Sequence, residues 1–406
     1  MIRQPNQQVM KRRSSSRRSS LNGRINVMHL VWNLGMGGME KTLINVCNRL
    51  PRDQFSASLC VLESGGAMES RVETDHVDLV CIRRRHGNDP TVPFRLARLL
   101  RQRRVDILHT NMWAALLEGV VAAKLARVPT VILDEHGTIH DRRRRVIAQR
   151  VGWAMASQVV AVSDALADRM TEIVGYPRSK IQVIPNSVDV EKNRRLEFPK
   201  RQLRAEFGMP EDGYLIGMLA RFVPFKNHAG VLHAVATLRE TGIDAHLALA
   251  GNGPLRDELQ GLARDLGIAA NVHFLGETDQ VARLLNSLDV FVSNSACNEG
   301  LSLALLEAMA CEVPVVATAV AGHPEVLDGG KAGMLIPPKD PDALVAALRH
   351  LADKPDVRDS LGRLGRQRAE DRYSVDVMVE SYRKLYINAA GLAKMSPQSR
   401  GEDARI

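Results

Sequence analysis

The sequence predicts an α/β protein built as two doubly wound, Rossmann-like halves. Three observations carry this expectation. Short β-rich apolar runs alternate with helical patterns along most of the chain. Glycine turns follow several of those runs, and the alternation breaks once, at Pro185-Asn186-Ser187-Val188-Asp189, before starting again. Strands that alternate with helices imply a parallel sheet with helices on both faces. At 406 residues the chain is long for one domain and comfortable for two.

In the first half, Ile25–Trp32 reads as a strand, Gly35-Met36-Gly37-Gly38 as a glycine loop and Met39–Leu50 as a helix. Ala57–Leu62, Val77–Ile82, Asp106–His109, Thr130–Leu133, Gln158–Val162 and Ile181–Ile184 read as further strands. Pro93–Arg103, Trp113–Arg127 and Asp164–Val174 carry helical spacing between them. The segment Glu191–Arg204 is polar and reads as a linker. In the second half Tyr214–Leu219, Ala245–Ala250, Val272–Leu275, Val290–Ser293, Val313–Ala317 and Met334–Ile336 are strand-like. Asn227–Glu240, Leu255–Leu266, Gln280–Ser287 and Leu301–Cys311 are helix-like. Helical patterns over Pro341–Leu351, Val357–Arg372 and Val375–Leu385 close the folded part.

Composition narrows the function. The chain is 45% hydrophobic and 25% charged, ordinary for a globular protein. Aromatics make up only 4%, too few for a platform that stacks single-stranded nucleic acid. The net charge is +9, and the polar leader before Ile25 supplies seven of those charges with no acid among them. Residues 1–24 are therefore expected to be a disordered basic leader. The remainder is near neutral, with basic clusters at Arg83-Arg84-Arg85, Arg101/Arg103/Arg104 and Arg142-Arg143-Arg144-Arg145. Such clusters suit an anionic partner such as a membrane surface, and equally suit plain solvated faces. The five cysteines are odd in number and form no C-x-x-C, so reduced thiols in a cytoplasmic setting are expected. The leader has no apolar core of a secretory signal, and no apolar run is long enough to span a bilayer.

Four stretches carry candidate chemistry. The loop Gly35–Gly38 after the first strand lets backbone amides approach an anion, although it is not G-x-G-x-x-G and by itself fits a tight turn. Arg221 and Lys226 follow a second-half strand and suit a diphosphate, the Arg as a fork and the Lys as a point charge. Gly251-Asn252-Gly253-Pro254 follows the next strand, with Pro254 suited to a helix start. Glu299 and Glu307 flank the start of an apolar helix, with Gly300, Leu301 and Ser302 between them. Taken alone, that spacing fits an N-terminal capping acid and a surface glutamate as well as a site. Taken with the strand-end cations, it suits a nucleoside diphosphate sugar: amides and cations on phosphate, Glu307 on ribose hydroxyls, Glu299 toward the sugar.

The set resembles the retaining glycosyltransferase family 4, of the two-domain GT-B fold. The pieces that carry the resemblance are Gly35–Gly38, Ala161-Val162-Ser163, Val183–Asp189, Arg221 with Lys226, Gly251–Leu255, and Glu299-x7-Glu307 running into Ala308-Met309-Ala310. They span Ile25 to about Leu385 in the family's order. The resemblance implies that Arg221 and Lys226 bind the donor diphosphate and stabilise the leaving charge. It implies that Glu307 holds the ribose, that Glu299 contacts the sugar, and that Gly37 and Gly38 close on the donor. His136, in Asp134-Glu135-His136-Gly137, falls at the family's sugar-contacting histidine. Asn111 stands where many members have a second histidine, and His109 reads more simply as a structural residue. The implied organisation is 25–188 as the acceptor domain, 189–375 as the nucleotide-sugar domain, 376–391 as a helix returning to the first domain, and 392–406 as a tail.

The implied activity is a retaining, metal-independent hexosyl transfer from a nucleotide sugar, UDP- or GDP-linked, to a glycan or lipid-linked acceptor. No DxD-like acid cluster is placed to hold a metal, and no other cofactor is expected. Cell-surface polysaccharide, lipopolysaccharide or glycolipid synthesis, in the cytoplasm and peripheral to an anionic membrane, is the implied setting. Nucleic acid is not expected as a partner. An epimerase or hydrolase on the same fold, or a non-catalytic GT-B-like binding protein, are the alternatives.

Overall fold

A computed structural model describes residues 23–35, 37–64, 66–85, 89–137, 139, 143–297 and 300–394, with the backbone alone at 112–114 and 392–394. The first sheet is built from β1 (Ile25–Val31), β2 (Phe55–Val61), β3 (Asp78–Cys81), β4 (Ile107–Asn111), β5 (Thr130–Glu135), β6 (Gln158–Ala161) and β7 (Ile181–Val183). Its helices are α1 (Gly38–Arg49), α2 (Val92–Gln102), α3 (Met112–Ala126), α4 (Arg143–Met155) and α5 (Asp164–Val174). After α6 (Lys200–Glu206), the second sheet takes β8 (Tyr214–Leu219), β9 (Ala245–Ala250), β10 (Val272–Gly276), β11 (Val290–Ser293), β12 (Val315–Thr318) and β13 (Met334–Ile336). Among these strands run α7 (His228–Glu240), α8 (Arg256–Asp265), α9 (Val281–Ser287), α10 (Leu303–Ala310) and α11 (His323–Val326). Then come α12 (Pro341–Asp353), α13 (Pro355–Tyr373) and α14 (Val375–Lys394).

Every strand pair is parallel, in the orders β3-β2-β1-β4-β5-β6-β7 and β10-β9-β8-β11-β12-β13. Each sheet starts in its middle, winds to one edge, then returns and winds to the other. The reversals fall between β1 and β4 and between β8 and β11. Ligands of open α/β sheets bind at such reversals, beyond the carboxyl ends of the strands.

Three helices escaped the sequence reading: the four-residue α11, and α4 and α6, which did so for physical reasons. In α4 the apolar residues point both ways: Trp153 is fully buried while Ile147 and Val151 stand exposed, so no one-sided stripe exists to be read. In α6 the anchors are Leu203 and a buried Arg204. The Arg204 guanidinium donates to the Ser287, Glu211 and Gly213 carbonyls and pairs with Asp289 at 2.6 Å, so a cation takes the place of an apolar period.

The chain returns to the first sheet at its end. Val188 bridges Ser374, and α14 then packs on α1, β4 and β5. Tyr382 and Tyr386 of α14 share one buried cluster with Val27, Leu59, Ile107 and Ile132 of that sheet.

Candidate active site

Strand ends of both sheets meet in one place. Gly38, which opens α1, lies against the side chain of Leu303, the first residue of α10. From the first turn of α1, Lys41 Nζ reaches Glu307 Oε1 at 2.8 Å. At the end of β5 the His136 carbonyl abuts Gly300; a Cβ on Gly300 would overlap that oxygen, so only glycine allows this approach. Asn186 Nδ2 donates to the Leu301 carbonyl at 3.2 Å. Thus the structure brings Gly37, Gly38, His136, Gly300, Leu301, Ser302 and Glu307 together, as the sequence reading grouped them. Glu299 and Asn298 lie outside the described residues.

The remaining predicted residues sit on the neighbouring loops. Arg221 is exposed after β8, and Lys226 ends a short turn over the Phe225 ring. That turn is tied to the loop after β11 by Ala296 N–H donating to the Phe225 carbonyl at 2.7 Å and by Asn294 Nδ2 donating to the Asn227 carbonyl at 3.2 Å. Gly251 follows β9 with φ +134°, a conformation that favours glycine, packed on the Ala220 carbonyl. The Asn252 carbonyl accepts from Phe222 N–H at 2.9 Å. The loops after β8, β9 and β11 therefore form one hydrogen-bonded rim around the sheet reversal. Helix α10 follows the loop after β11, and its N-cap Ser302 makes no side-chain capping bond among the described residues, so its first-turn amides are a setting that favours anions.

The surroundings of His136 favour its protonated form. Burial lowers its pKa, but the Asp134 carboxylate beside it, then Glu135 and Glu40, outweigh burial and the pKa is raised. Asp134 is itself fully buried, which disfavours its charge, yet the charge and contact of His136 hold its pKa below the usual value. His109 is buried, and its Nδ1 lies 2.8 Å from the Tyr386 hydroxyl. Burial pushes its pKa down to about 4, so it sits neutral in the sheet, away from the cleft surface.

Three groups at the site carried no assignment from sequence: Lys41, Glu40 and Tyr382. Lys41 left a signal, since a cation in the first turn of a helix opposes the helix dipole and calls for a partner. Tyr382 left none, because its partner Asp134 is 248 residues away in the chain.

Known proteins agree with this architecture. Residues 36–192 match the family model described as Glycosyltransferase Family 4, and residues 199–368 match Glycosyl transferases group 1. A D-inositol 3-phosphate glycosyltransferase of Thermomonospora curvata is 31% identical over 311 residues, covering 70% of this chain and 72% of that one. An Escherichia coli UDP-Gal:alpha-D-GlcNAc-diphosphoundecaprenol alpha-1,3-galactosyltransferase is 24% identical over 91% of this chain and 98% of its own. Among solved structures, Anabaena HepE in complex with UDP and glucose superposes with a TM-score of 0.80 at 20% identity, over 90% of this chain and 100% of that one. Two parallel sheets joined at one cleft, with this rim, define a GT-B glycosyltransferase that uses a nucleotide-sugar donor. The chain belongs to glycosyltransferase family 4, whose members are retaining and metal-independent.

Proposed function

We propose that this enzyme moves a hexose from a UDP- or GDP-sugar to a lipid-linked or glycan acceptor at a membrane surface, in cell-surface polysaccharide, lipopolysaccharide or glycolipid synthesis. The observation that carries the donor half is the 2.8 Å contact between Lys41 and Glu307, which puts the second domain's buried acid against the first domain's glycine helix. Arg221, Lys226 and the α10 amides take the diphosphate. Glu307 takes the ribose hydroxyls, with Gly251 and Asn252 lining the nucleotide side. Gly37, Gly38 and His136 close over phosphate and sugar, and Glu299 meets the sugar near its anomeric carbon.

The bond from the anomeric carbon to the diphosphate oxygen breaks, and the acceptor hydroxyl oxygen bonds to the same face of that carbon. The hydroxyl proton passes to the departing phosphate oxygen. The protein's main contribution is preorganised positive charge on the leaving group. One such cation is worth about 3 kcal/mol, or about a hundredfold in rate.

The acceptor half rests on the outer face of the first domain and on the relatives' names. Two similar proteins are named for lipid-linked or lipid substrates: the Escherichia coli enzyme for a diphosphoundecaprenol, and a Mycolicibacterium smegmatis mannosyltransferase, 28% identical over 70% of this chain, for a phosphatidylinositol monomannoside. On this chain, Leu117, Val121 and Leu125 form an exposed stripe along α3, with Ile147 and Val151 on the adjoining α4 and Phe94 on α2. Exposed cations flank them: Arg98, Arg101, Lys124, Arg127, Arg143, Arg144, Arg145 and Arg150. Apolar side chains within a cationic field suit the headgroup layer of an anionic bilayer. Among the described residues no helix is long and apolar enough to cross a membrane. We read the enzyme as cytoplasmic and peripheral to the inner face.

The test is a thermal-shift panel of UDP-, GDP- and ADP-sugars, because a ligand of the native state raises the melting midpoint by mass action. A rise with one nucleotide class, lost in Arg221→Ala, supports the donor reading. No shift with any of them at millimolar concentration would remove it.

A further inference from the structure

One face of the first sheet carries a buried polar ladder that the transfer chemistry above leaves unused. His29 of β1 and His109 of β4 are register partners, and the Tyr386 hydroxyl lies between them, 3.1 Å from His29 Nε2 and 2.8 Å from His109 Nδ1. Further along β5, the Tyr382 hydroxyl donates to Asp134 Oδ2 at 2.5 Å. The same oxygen lies 3.6 Å from His136 Nε2 and 3.7 Å from His109 Nε2. Both tyrosines belong to α14, which the chain reaches only after completing the second domain.

Asp134 is the group that needs explaining. An isolated buried carboxylate is costly, and such groups persist only when paired and hydrogen-bonded. Here the hydrogen bond comes from Tyr382 and the opposite charge from His136. His136 Nε2 lies 3.6 Å from Asp134 Oδ2, an ion-pair distance, and both ring nitrogens are buried without a hydrogen-bond partner among the described residues. Its backbone carbonyl meanwhile touches Gly300 in the cleft. The ring is thus held beside the site by the Asp134 charge at Nε2.

We propose that Tyr382 is a positioning residue for the transfer reaction: by sharing the Asp134 carboxylate with His136 it fixes that ring beside the donor and tempers how tightly the ring holds its proton. The inference rests on the placement of His136 at the donor sugar. It gives the returning helix a task beyond packing. Helix α14 sets the state of a histidine at the cleft, so the site is complete only when α14 has docked.

The charged groups around His136 are Asp134 and Glu135 from β5, Glu40 from α1 and His109 from β4; around Asp134 they are the two histidines, with the Tyr382 hydroxyl from α14. Removing the tyrosine hydroxyl leaves His136 as the main support of the Asp134 anion. The pair tightens and the histidine binds its proton more strongly. Removing the anion instead leaves a buried imidazolium without its partner, which then loses its proton more easily. Tyr382→Phe and Asp134→Asn must therefore move the His136 titration in opposite directions.

The experiment is NMR titration of the full chain labelled at the histidine ring, with His136→Gln to identify the signal, alongside turnover with the nucleotide sugar that binds. Tyr382→Phe is expected to move the His136 midpoint upward and to lower kcat by roughly ten- to hundredfold, the scale of losing one hydrogen bond to a charged group. Asp134→Asn is expected to move the midpoint downward. Tyr386→Phe, which removes the hydroxyl between the other two histidines, is the comparison, and is expected to lower the melting midpoint while leaving the His136 titration in place. If Tyr382→Phe leaves the His136 midpoint where it was, or lowers stability with kcat unchanged, the positioning role is wrong. Because Tyr382→Phe is conservative, this arm stands even if Asp134→Asn does not fold. If His136→Gln keeps full turnover while the midpoints still move, the coupling is real and the placement of His136 at the sugar is what fails.

Discussion

Lys41 Nζ sits 2.8 Å from Glu307 Oε1, joining the first turn of α1 in one domain to the middle of α10 in the other. The side chain of Glu307 is 11% exposed and that of Lys41 30%, so the pair is shielded from bulk water. A carboxylate has two oxygens, and Lys41 takes one; on the proposal that Glu307 holds the ribose, Oε2 is the oxygen left for its hydroxyls. On that proposal Lys41 orients the acid and does not compete with the nucleotide. Glu307→Ala is expected to weaken nucleotide binding by about a hundredfold, and Lys41→Met by about tenfold, on the scale of charged hydrogen bonds. The double variant is expected to bind no worse than Glu307→Ala, because the lysine acts through the glutamate. Calorimetric titration with the preferred nucleoside diphosphate checks this. Tighter binding by Lys41→Met would reverse the reading and make the lysine a competitor.

Gly300 is held against the His136 carbonyl, with Gly137 on the same side. Any Cβ at position 300 must push the loop after β11 away from β5. Gly300→Ala is expected to cost about 1–3 kcal/mol of stability, the usual scale of overpacking, and to lower turnover by about a hundredfold through misplacement of the site. Steady-state kinetics with a denaturant midpoint separates the two effects. Unchanged kcat would show that the cleft does not close at this contact during transfer.

Acid should loosen the first sheet through its buried histidines. Burial pushes the His109 pKa down to about 4 and holds His29 well below its ordinary value. An unfolded chain protonates them near pH 6.5, so between roughly 6.5 and 4 the unfolded state binds more protons and stability falls as pH falls. His109 alone accounts for on the order of 3 kcal/mol over that window. His136 works in the other sense: its raised pKa contributes stability that is present below its unfolded pKa and lost as pH rises through the folded value. Urea midpoints measured from pH 7.5 to 4.5 should decline, and His109→Gln should flatten the slope. A pH-independent midpoint would contradict a neutral buried pair.

The alternation of strands and helices was legible because parallel strands buried on both faces read as apolar runs, as Tyr214–Leu219 and Ala245–Ala250 show. The candidate rim was legible because each piece is local: a cation, glycine or acid just past a strand. What could not be read is what joins distant elements. The pairing of Lys41 with Glu307 spans 266 residues, and that of Tyr382 with Asp134 spans 248. Neither leaves a periodic trace, since a side chain's partner across a domain gap is set by packing. Helix α4 stayed hidden for a related reason, as its outward Ile147 and Val151 break the one-sided pattern that marks a helix on a core.

Those same outward residues give the last prediction. Ile147 is 54% and Val151 52% exposed, one turn apart on α4, with Leu117, Val121 and Leu125 on the neighbouring α3. A helix that packs only on a core would carry polar residues there. The flanking arginines each contribute about 1 kcal/mol near an anionic surface, and that attraction is screened within a Debye length. Each apolar side chain that enters the headgroup layer adds an area term which salt does not screen. Sedimentation of the full chain with vesicles containing anionic lipid should therefore fall as salt rises but not vanish. Ile147→Glu with Val151→Glu should abolish the salt-resistant part and leave donor hydrolysis or transfer to a soluble acceptor intact. Substituting Arg143, Arg144 and Arg145 with Gln should remove mainly the salt-sensitive part. Equal binding to neutral and anionic vesicles, or binding unaffected by the glutamates, would mean that this face meets something other than a lipid surface.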